Sequence, residues 1–354
     1  MKLAFLILFF IPLFMSAQGD QKEKSNPGRL SVKEYDLNAE ESEPSRVKLP
    51  FSSIKVIDSR YDTSIIGFVD VGMFGGKANL YKKLHIKDGC ANAIEIFLNT
   101  QFQNSFDSSG MVLLIVLKKF WFSCIEYKKN RDLDLSVEIL NSTKSLHCKW
   151  EYYLGKDDKY LPVKRVDTVW ILKDNIDEHV KAKFERKQKE FLRASLQKLV
   201  EMLDFTKGVQ VFDQQKKTSM QEIINFNEAR FKIPILINDG VTQGIFVNFD
   251  EFRNNKPSII LFKEKKQSIG RYDQKFVEDE NGRQINPYWA YFNGLNIIHG
   301  KFGNSILYRT QNTFAFFYRR IWNSFNNSQG TLFPTTRNED WIPYEIDMET
   351  GEIY

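Results

Sequence analysis

The chain reads as an α+β protein: an N-terminal β-α-β-β-β-α sheet with its helices on one face, followed by a β-rich antiparallel meander domain. Three observations predict this. Met111 to Leu117 is an unbroken apolar run of strand length, as a sheet covered on both faces requires. A long amphipathic stripe follows, with Ile176, Val180, Phe184, Phe191, Leu192, Leu196, Leu199 and Leu203 at helical spacing. After Lys207 the texture changes to short apolar segments between turn signals.

Order is expected to begin at Phe51. In the segment SSIKVIDSRYD, Ile54 and Val56 share a parity with Asp58, so a largely buried strand ends in a polar turn. Asp88 is placed to cap a helix reaching about Phe106, with Cys90, Ile94, Phe97, Leu98 and Phe102 on its apolar face. Beyond Met111–Leu117, residues 133–140 alternate Leu, Leu, Val and Ile with Asp, Ser and Glu. Leu146, Cys148, Trp150 and Tyr152 alternate with His147, Lys149 and Glu151, which predicts strands with one solvated face. A shorter strand is expected over Val166–Leu172, then the long helix from about Asp174 to Asp204. Its opposite face carries Lys181, Arg186, Lys187 and Glu190; the charges nearly balance, so it is expected to pack on the sheet rather than lie on a membrane.

The opening IKVIDSRYDTSIIGFV, then helix, apolar strand and meander, resembles the YajG-like bacterial envelope lipoproteins over about 150 residues. The resemblance implies an envelope compartment and an α+β fold. This chain departs from it in having no cysteine for lipidation after the N-terminal segment. In the second half, Ser219 and Glu222 form a capping box ahead of a short helix. Asn238-Asp239-Gly240, Asn281-Gly282, Asn293-Gly294, Gly300 and Gly303-Asn304 punctuate the rest at a spacing suited to hairpins. The passages GIFVNFDEFRNNKPSI, YWAYFNGLNIIHG and YEIDMETGEIY resemble an uncharacterised C-terminal module of secreted Bacteroidota proteins.

The address comes from the first residues. Lys2, an apolar run from Leu3 to Phe14 and the small pair Ser16-Ala17 have the pattern of a secretory signal peptide. The predicted organisation is therefore a signal peptide over 1–17, a flexible polar leader over 18–50 and an α+β domain over 51–205. A linker and short helix occupy 206–232, and a β-rich domain 233–354. No transmembrane segment is expected after cleavage.

Composition narrows the chemistry. The net charge of +5, from 50 basic and 45 acidic residues, is spread along the chain without a basic stripe, so nucleic acid is not an expected partner. Cys90, Cys124 and Cys148 are few and odd in number for an exported chain. With the 133–140 strand between them, Cys124 and Cys148 would sit about 10 Å apart, beyond disulfide reach, so free thiols are expected. The four histidines are isolated, and no zinc signature, complete Walker loop or nucleophile elbow occurs. VGMFGGKAN has Val71 and Ala78 where a Walker loop needs Gly and Ser or Thr.

Two candidate constellations remain. Asp58, Arg60 and Asp62 form a polar group at a strand end, with a turn-fixing Asp-Arg pair as the plain alternative. Trp289 and Tyr291, in an aromatic stretch with Tyr288 and Phe292, are the candidate ligand aromatics, with core filling as the alternative. No catalytic residue, metal site or cofactor is assigned. The expected role is a non-catalytic, exported accessory or binding protein of the envelope, periplasmic before extracellular. Its partner would be an envelope protein or a cell-wall component, docked chiefly on the N-terminal domain. The alternatives are a carbohydrate-binding protein and a secreted hydrolase.

Overall fold

The computed structural model describes residues 27–38, 44–70, 81–108, 110–123, 144–172, 181–269, 272–300, 305–326 and 333–354. The expected signal peptide, the glycine segment at 71–79, the 133–140 strand and Cys124 lie outside them. The α+β class holds: helices and mixed sheets share the chain, with antiparallel strands dominating the second half.

The first half is one large mixed sheet. Its strands are β1 (Val32–Tyr35), β2 (Ser53–Asp58), β3 (Gly67–Asp70), β4 (Tyr81–Ile86), β5 (Val112–Ser123), β6 (Lys144–Lys156), β7 (Lys159–Leu172) and β8 (Thr218–Ser219). Their spatial order is β1-β4-β3-β5-β6-β7-β8, and β2 also pairs with β5. Helices α1 (Cys90–Gln101) and α2 (Lys181–Glu201) cover one face. There Cys90, Ile94, Phe97, Leu192 and Leu196 pack with Leu113, Ile115, Leu117, Cys148, Trp150 and Tyr152. Helix α1 also closes the outer edge of β2: Ile54 N donates to Asn99 Oδ1 at 3.0 Å and Val56 N to Glu95 Oε2 at 2.8 Å. Buried strand edges need such partners.

The polar leader is corrected in part. Residues 32–35 form β1, parallel to β4, and Tyr35, Leu37 and Leu49 are buried in the main core. Three apolar side chains spaced along a polar segment suffice to seat it, although no window of it is apolar enough to signal order. The helix start also differs: Gly89, not Asp88, is the N-cap of α1, and Asp88 holds a positive φ in the turn before it.

β5 and β6 are direct neighbours, with Phe120 opposite Cys148. No strand lies between them, so the spacing argument for Cys124 and Cys148 falls. Cys90 and Cys148 are nonetheless buried and free. β6 and β7 meet in a two-residue turn, Asp157-Asp158, with both φ positive (51° and 55°). That is the geometry right-twisted strands favour, built here without glycine.

The expected linker at 206–232 is also corrected. Helix α3 (Thr206–Val211) is flanked by Phe205 and Phe212, both in the main core. Helix α4 (Met220–Ala229) starts in the complete Ser219–Glu222 capping box. Its Ile223 packs on Leu114, Val116 and Tyr160, the sheet face opposite α1 and α2.

The second half adds α5 (Pro234–Ile237), β9 (Gly244–Phe246), α6 (Phe249–Arg253) and a separate hairpin of β10 (Lys263–Ile269) and β11 (Tyr272–Glu278). β12 (Ala290–Phe292), β13 (Ile297–His299), β14 (Ser305–Arg309), β15 (Phe314–Asn326) and β16 (Phe333–Glu345) complete it. The order β16-β15-β14-β13-β12-β9 is an antiparallel meander. Phe246, Phe252, Phe314, Phe316 and Met348 centre its core.

Candidate functional site

The polar residues expected at the end of the first strand lie where β5 changes partners. β2 pairs with β5 from Val112 to Leu117, and among the described residues β3 pairs with it only at Phe122 and Ser123. Residues 59–66 cross the gap, tied by Ser59 N to Leu117 O at 2.8 Å and Phe122 N to Ile66 O at 2.6 Å. Opposite them β5 carries a bulge between Leu117 and Lys119. A bulge breaks the alternation of a strand. Leu117 and Phe120 face the helices, while Lys118 and Lys119 both turn to the other side.

Arg60 organises this crossing. Its Nε donates to Asp58 Oδ1 at 2.8 Å and its Nη2 to Asp58 Oδ2 at 2.7 Å, a bidentate pair. Nη1 reaches Ile65 O at 2.7 Å and Nη2 Thr63 O at 3.2 Å. Asp62 Oδ1 accepts from Ser64 N at 2.8 Å and from the Ser64 hydroxyl. Asp58 and Arg60 are therefore joined in one clip, and Asp62 makes its own turn beside it.

The second half of the chain closes over this crossing. Tyr61 packs in the core of the second half, edge-on to Phe231. Asn312 N donates to Tyr61 O at 3.2 Å, and Thr63 N donates to Gln311 Oε1 at 2.9 Å. The C-terminal residues turn back through the Ile346–Ile353 bridge and lie on the sheet. Lys119 Nζ is 3.0 Å from Asp347 Oδ2 and 3.1 Å from the centre of the Tyr354 ring. Lys149 pairs with Glu349, and Arg230 Nε donates to the same carboxylate at 2.6 Å. His147 packs edge-on against Tyr354, and burial beside Lys119 pushes its pKa down to about 4. The solvated face expected of His147, Lys149 and Glu151 is in fact a domain seam. Alternation records polar side chains on one face but not whether water or a charged partner meets them.

Glu151 marks the inner end of the seam. Lys118 Nζ lies 2.7 Å from its Oε1, the Tyr153 hydroxyl donates to Oε2 at 3.0 Å, and Arg165 also pairs with it. Burial works against its charge, yet these partners hold Glu151 below the usual carboxylate range. Glu345 is the unmatched member. It is buried, and its Oε2 has no hydrogen-bond partner. Burial, with Asp62 and Asp347 adding to it against Arg60 and Lys119, pushes its carboxyl well above the usual range.

Arg60, Tyr61, Asp62, Lys119, Glu345 and Tyr354 border a cavity of about 30 Å³. At the ~10–15 Å³ one water needs, it has room for a water or two and no substrate. The Tyr61 hydroxyl is a second buried group without a partner there. No group of three His, Cys, Asp or Glu among the described residues could hold a metal ion.

The aromatic candidates lie elsewhere. Tyr291 is wholly buried, its hydroxyl donating to Glu264 Oε2 at 2.8 Å. Trp289 is half-buried against Phe252, ring centres 4.4 Å apart, and against His299 at 4.8 Å. Both fill core, and they belong to different clusters, Trp289 with Phe252 and Tyr291 with Ile298. Sequence reasoning missed Glu345, Asp347, Tyr354 and the two lysines. The lysine pair had a signal: two adjacent cations inside an apolar strand require buried acids somewhere in the fold.

The fold and seam define an α+β protein whose two halves are clamped by a charged interface. No protein-family model matches the chain, and no curated relative matches it. Among solved structures it is similar to protein XCC0632 from Xanthomonas campestris, which carries the family-model name DUF330. That likeness covers 52% of this chain and 100% of that one at 12% identity, with a TM-score of 0.31, too loose to bear on fold or function.

Proposed function

We propose that the chain is an exported, non-catalytic binding protein of the cell envelope, periplasmic rather than released, that docks a partner protein by strand addition. The secretory pattern at Lys2–Ala17 supports export, and the resemblance of the first half to YajG-like envelope proteins supports the compartment. The observation that carries the binding role is the β15–β16 arm. Among the described residues β15 pairs with β14 only through Phe314 and Ala315. Beyond them, Arg319–Asn326 pairs with Phe333–Trp341 and with no other strand among the described residues. An unpaired edge of this length is a template for another strand. Helices α1 and α2 cover one face of the large sheet, and α4 and the C-terminal residues cover part of the other, where Val169 and Ile171 of β7 stay exposed. We place the docking surface on the arm rather than on the N-terminal domain because the arm offers a continuous backbone edge. Asp58, Arg60 and Asp62 are engaged in local bonds, which favours a structural over a catalytic part for them.

Two baits test this on envelope extract: the full chain, and a variant in which 320–340 is replaced by Asn-Gly, joining Arg319 to Trp341. The full chain is expected to retain a discrete partner, and the folded, shortened variant to lose it. Equal capture by both would remove the arm from the binding role.

A further inference from the structure

A second, larger cleft opens on the same seam. Its volume is about 210 Å³, many times what a single water needs. It shares Asp62 with the small cavity but has a different lining. Pro27, Ile65, Phe68 and Ala315 supply apolar surface, and all four are buried. Lys83 and Arg309 supply two cations, and Ser64, Thr310 and Gln311 supply hydroxyl and amide groups.

The wall is assembled from three separate parts of the chain: the 3-10 turn at Pro27–Arg29, the Arg60 crossing with β3 and β4, and the turn between β14 and β15. Each part is held independently of any ligand. Thr63 N and the Thr63 hydroxyl bond Gln311 Oε1 at 2.9 and 3.0 Å, and Thr310 N bonds Thr313 O at 3.0 Å. Lys83 N bonds Ser31 O at 2.9 Å, which seats the strand bearing the lysine. The cleft is therefore preformed, and a ligand would not have to order its walls.

Charge selects the ligand class. Among the described residues Asp62 is the one acid in the lining, and its Oδ1 already accepts from Ser64. Arg309 is exposed and has no ion-pair partner among the described residues. A guanidinium at the rim with a lysine in the same wall suits an oxyanion, which Arg binds with paired, charge-assisted hydrogen bonds. The apolar side chains suit a short hydrocarbon portion. We infer that this cleft binds a small organic anion, a carboxylate or phosphate head carrying a short apolar tail. The inference goes beyond the docking role proposed above, which rests on the arm and not on this cleft.

The test uses the full chain and saturation-transfer NMR with hexanoate, hexyl phosphate, 1-hexanol and inorganic phosphate. At least one of the two charged amphiphiles is expected to bind at least about tenfold more tightly than hexanol or inorganic phosphate, the loss of a charge-assisted hydrogen bond being worth about that factor. The tighter of the two identifies the head group. Arg309→Ala, at an exposed position, is expected to weaken it about tenfold. Ser64→Trp, which fills the cleft from an exposed position, is expected to abolish it while circular dichroism stays native. Hexanol binding as tightly as the anions, inorganic phosphate binding as tightly as hexyl phosphate, or an unchanged affinity in Arg309→Ala would each overturn the inference. Failure here with partner capture intact would sink the cleft alone. Anion binding with no captured partner would sink the docking role alone.

Discussion

Lys118 and Lys119 stand side by side in a strand that is otherwise apolar from Val112 to Phe122. The bulge turns both to the seam, where Glu151 and Asp347 meet them. Glu345 has no such partner for its Oε2, and its raised pKa has a consequence for stability. The folded chain keeps a proton on Glu345 at pH values where the unfolded chain has lost it. Stability therefore falls as pH rises from the ordinary glutamate value of about 4.3 toward the raised folded one. Glu345→Gln keeps the shape without the ionisation. The variant is expected to match wild type near pH 4 and to exceed it increasingly toward neutrality, the gap opening by up to about 1.4 kcal/mol per pH unit. Urea unfolding at several pH values checks this, and a constant gap would mean the folded carboxyl is already ionised. His147 contributes the opposite slope between about 4 and its ordinary value, so wild type and variant must be compared at each pH.

At the scale of elements, the sharing of one β5 edge between β2 and β3 depends on close approach at Gly67. Its φ is 139°, and a Cβ there would lie 1.9 Å from the Phe122 carbonyl oxygen. Neither the backbone conformation nor the space admits a side chain. Gly67→Ala is expected to destabilise the chain by about 3 kcal/mol, through strain and the forced separation of β3 from β5. A thermal melt reads the loss directly. A midpoint unchanged from wild type would show that the crossing can relax. The element that sequence periodicity misread is the polar face of β6. Its alternation was plain, but burial of His147 and Lys149 depends on residues about two hundred positions away, which no local window contains.

At the scale of the whole molecule, the halves do not divide at the texture change near residue 206. Tyr35 and Leu37 enter the main core from the leader, and Ile223 of α4 covers the opposite sheet face. A fragment of 51–205 loses both and uncovers Leu114 and Val116. It is expected to show no cooperative thermal transition by circular dichroism. A fragment of 27–232 is expected to melt cooperatively, below the full chain because it lacks the Asp347, Glu349 and Tyr354 contacts. Cooperative folding of 51–205 at the same midpoint as 27–232 would restore the earlier boundary.

By itself the sequence determined the α+β class, the central apolar strand β5, the amphipathic α2, the capped α4 and the meander of the second half. Each rests on periodicity, apolar run length or turn chemistry within one short segment, and such signals are local. It also placed the Asp58–Arg60 pair at a strand end, because both residues fall within one turn. Tertiary structure alone decided which polar faces meet water. It seated a polar leader through a few buried side chains, turned two lysines to one side through a bulge, and brought residues 345–354 onto β5 and β6. Those outcomes depend on pairing between distant charges and on strand order, and neither leaves a periodic trace in the residues that take part.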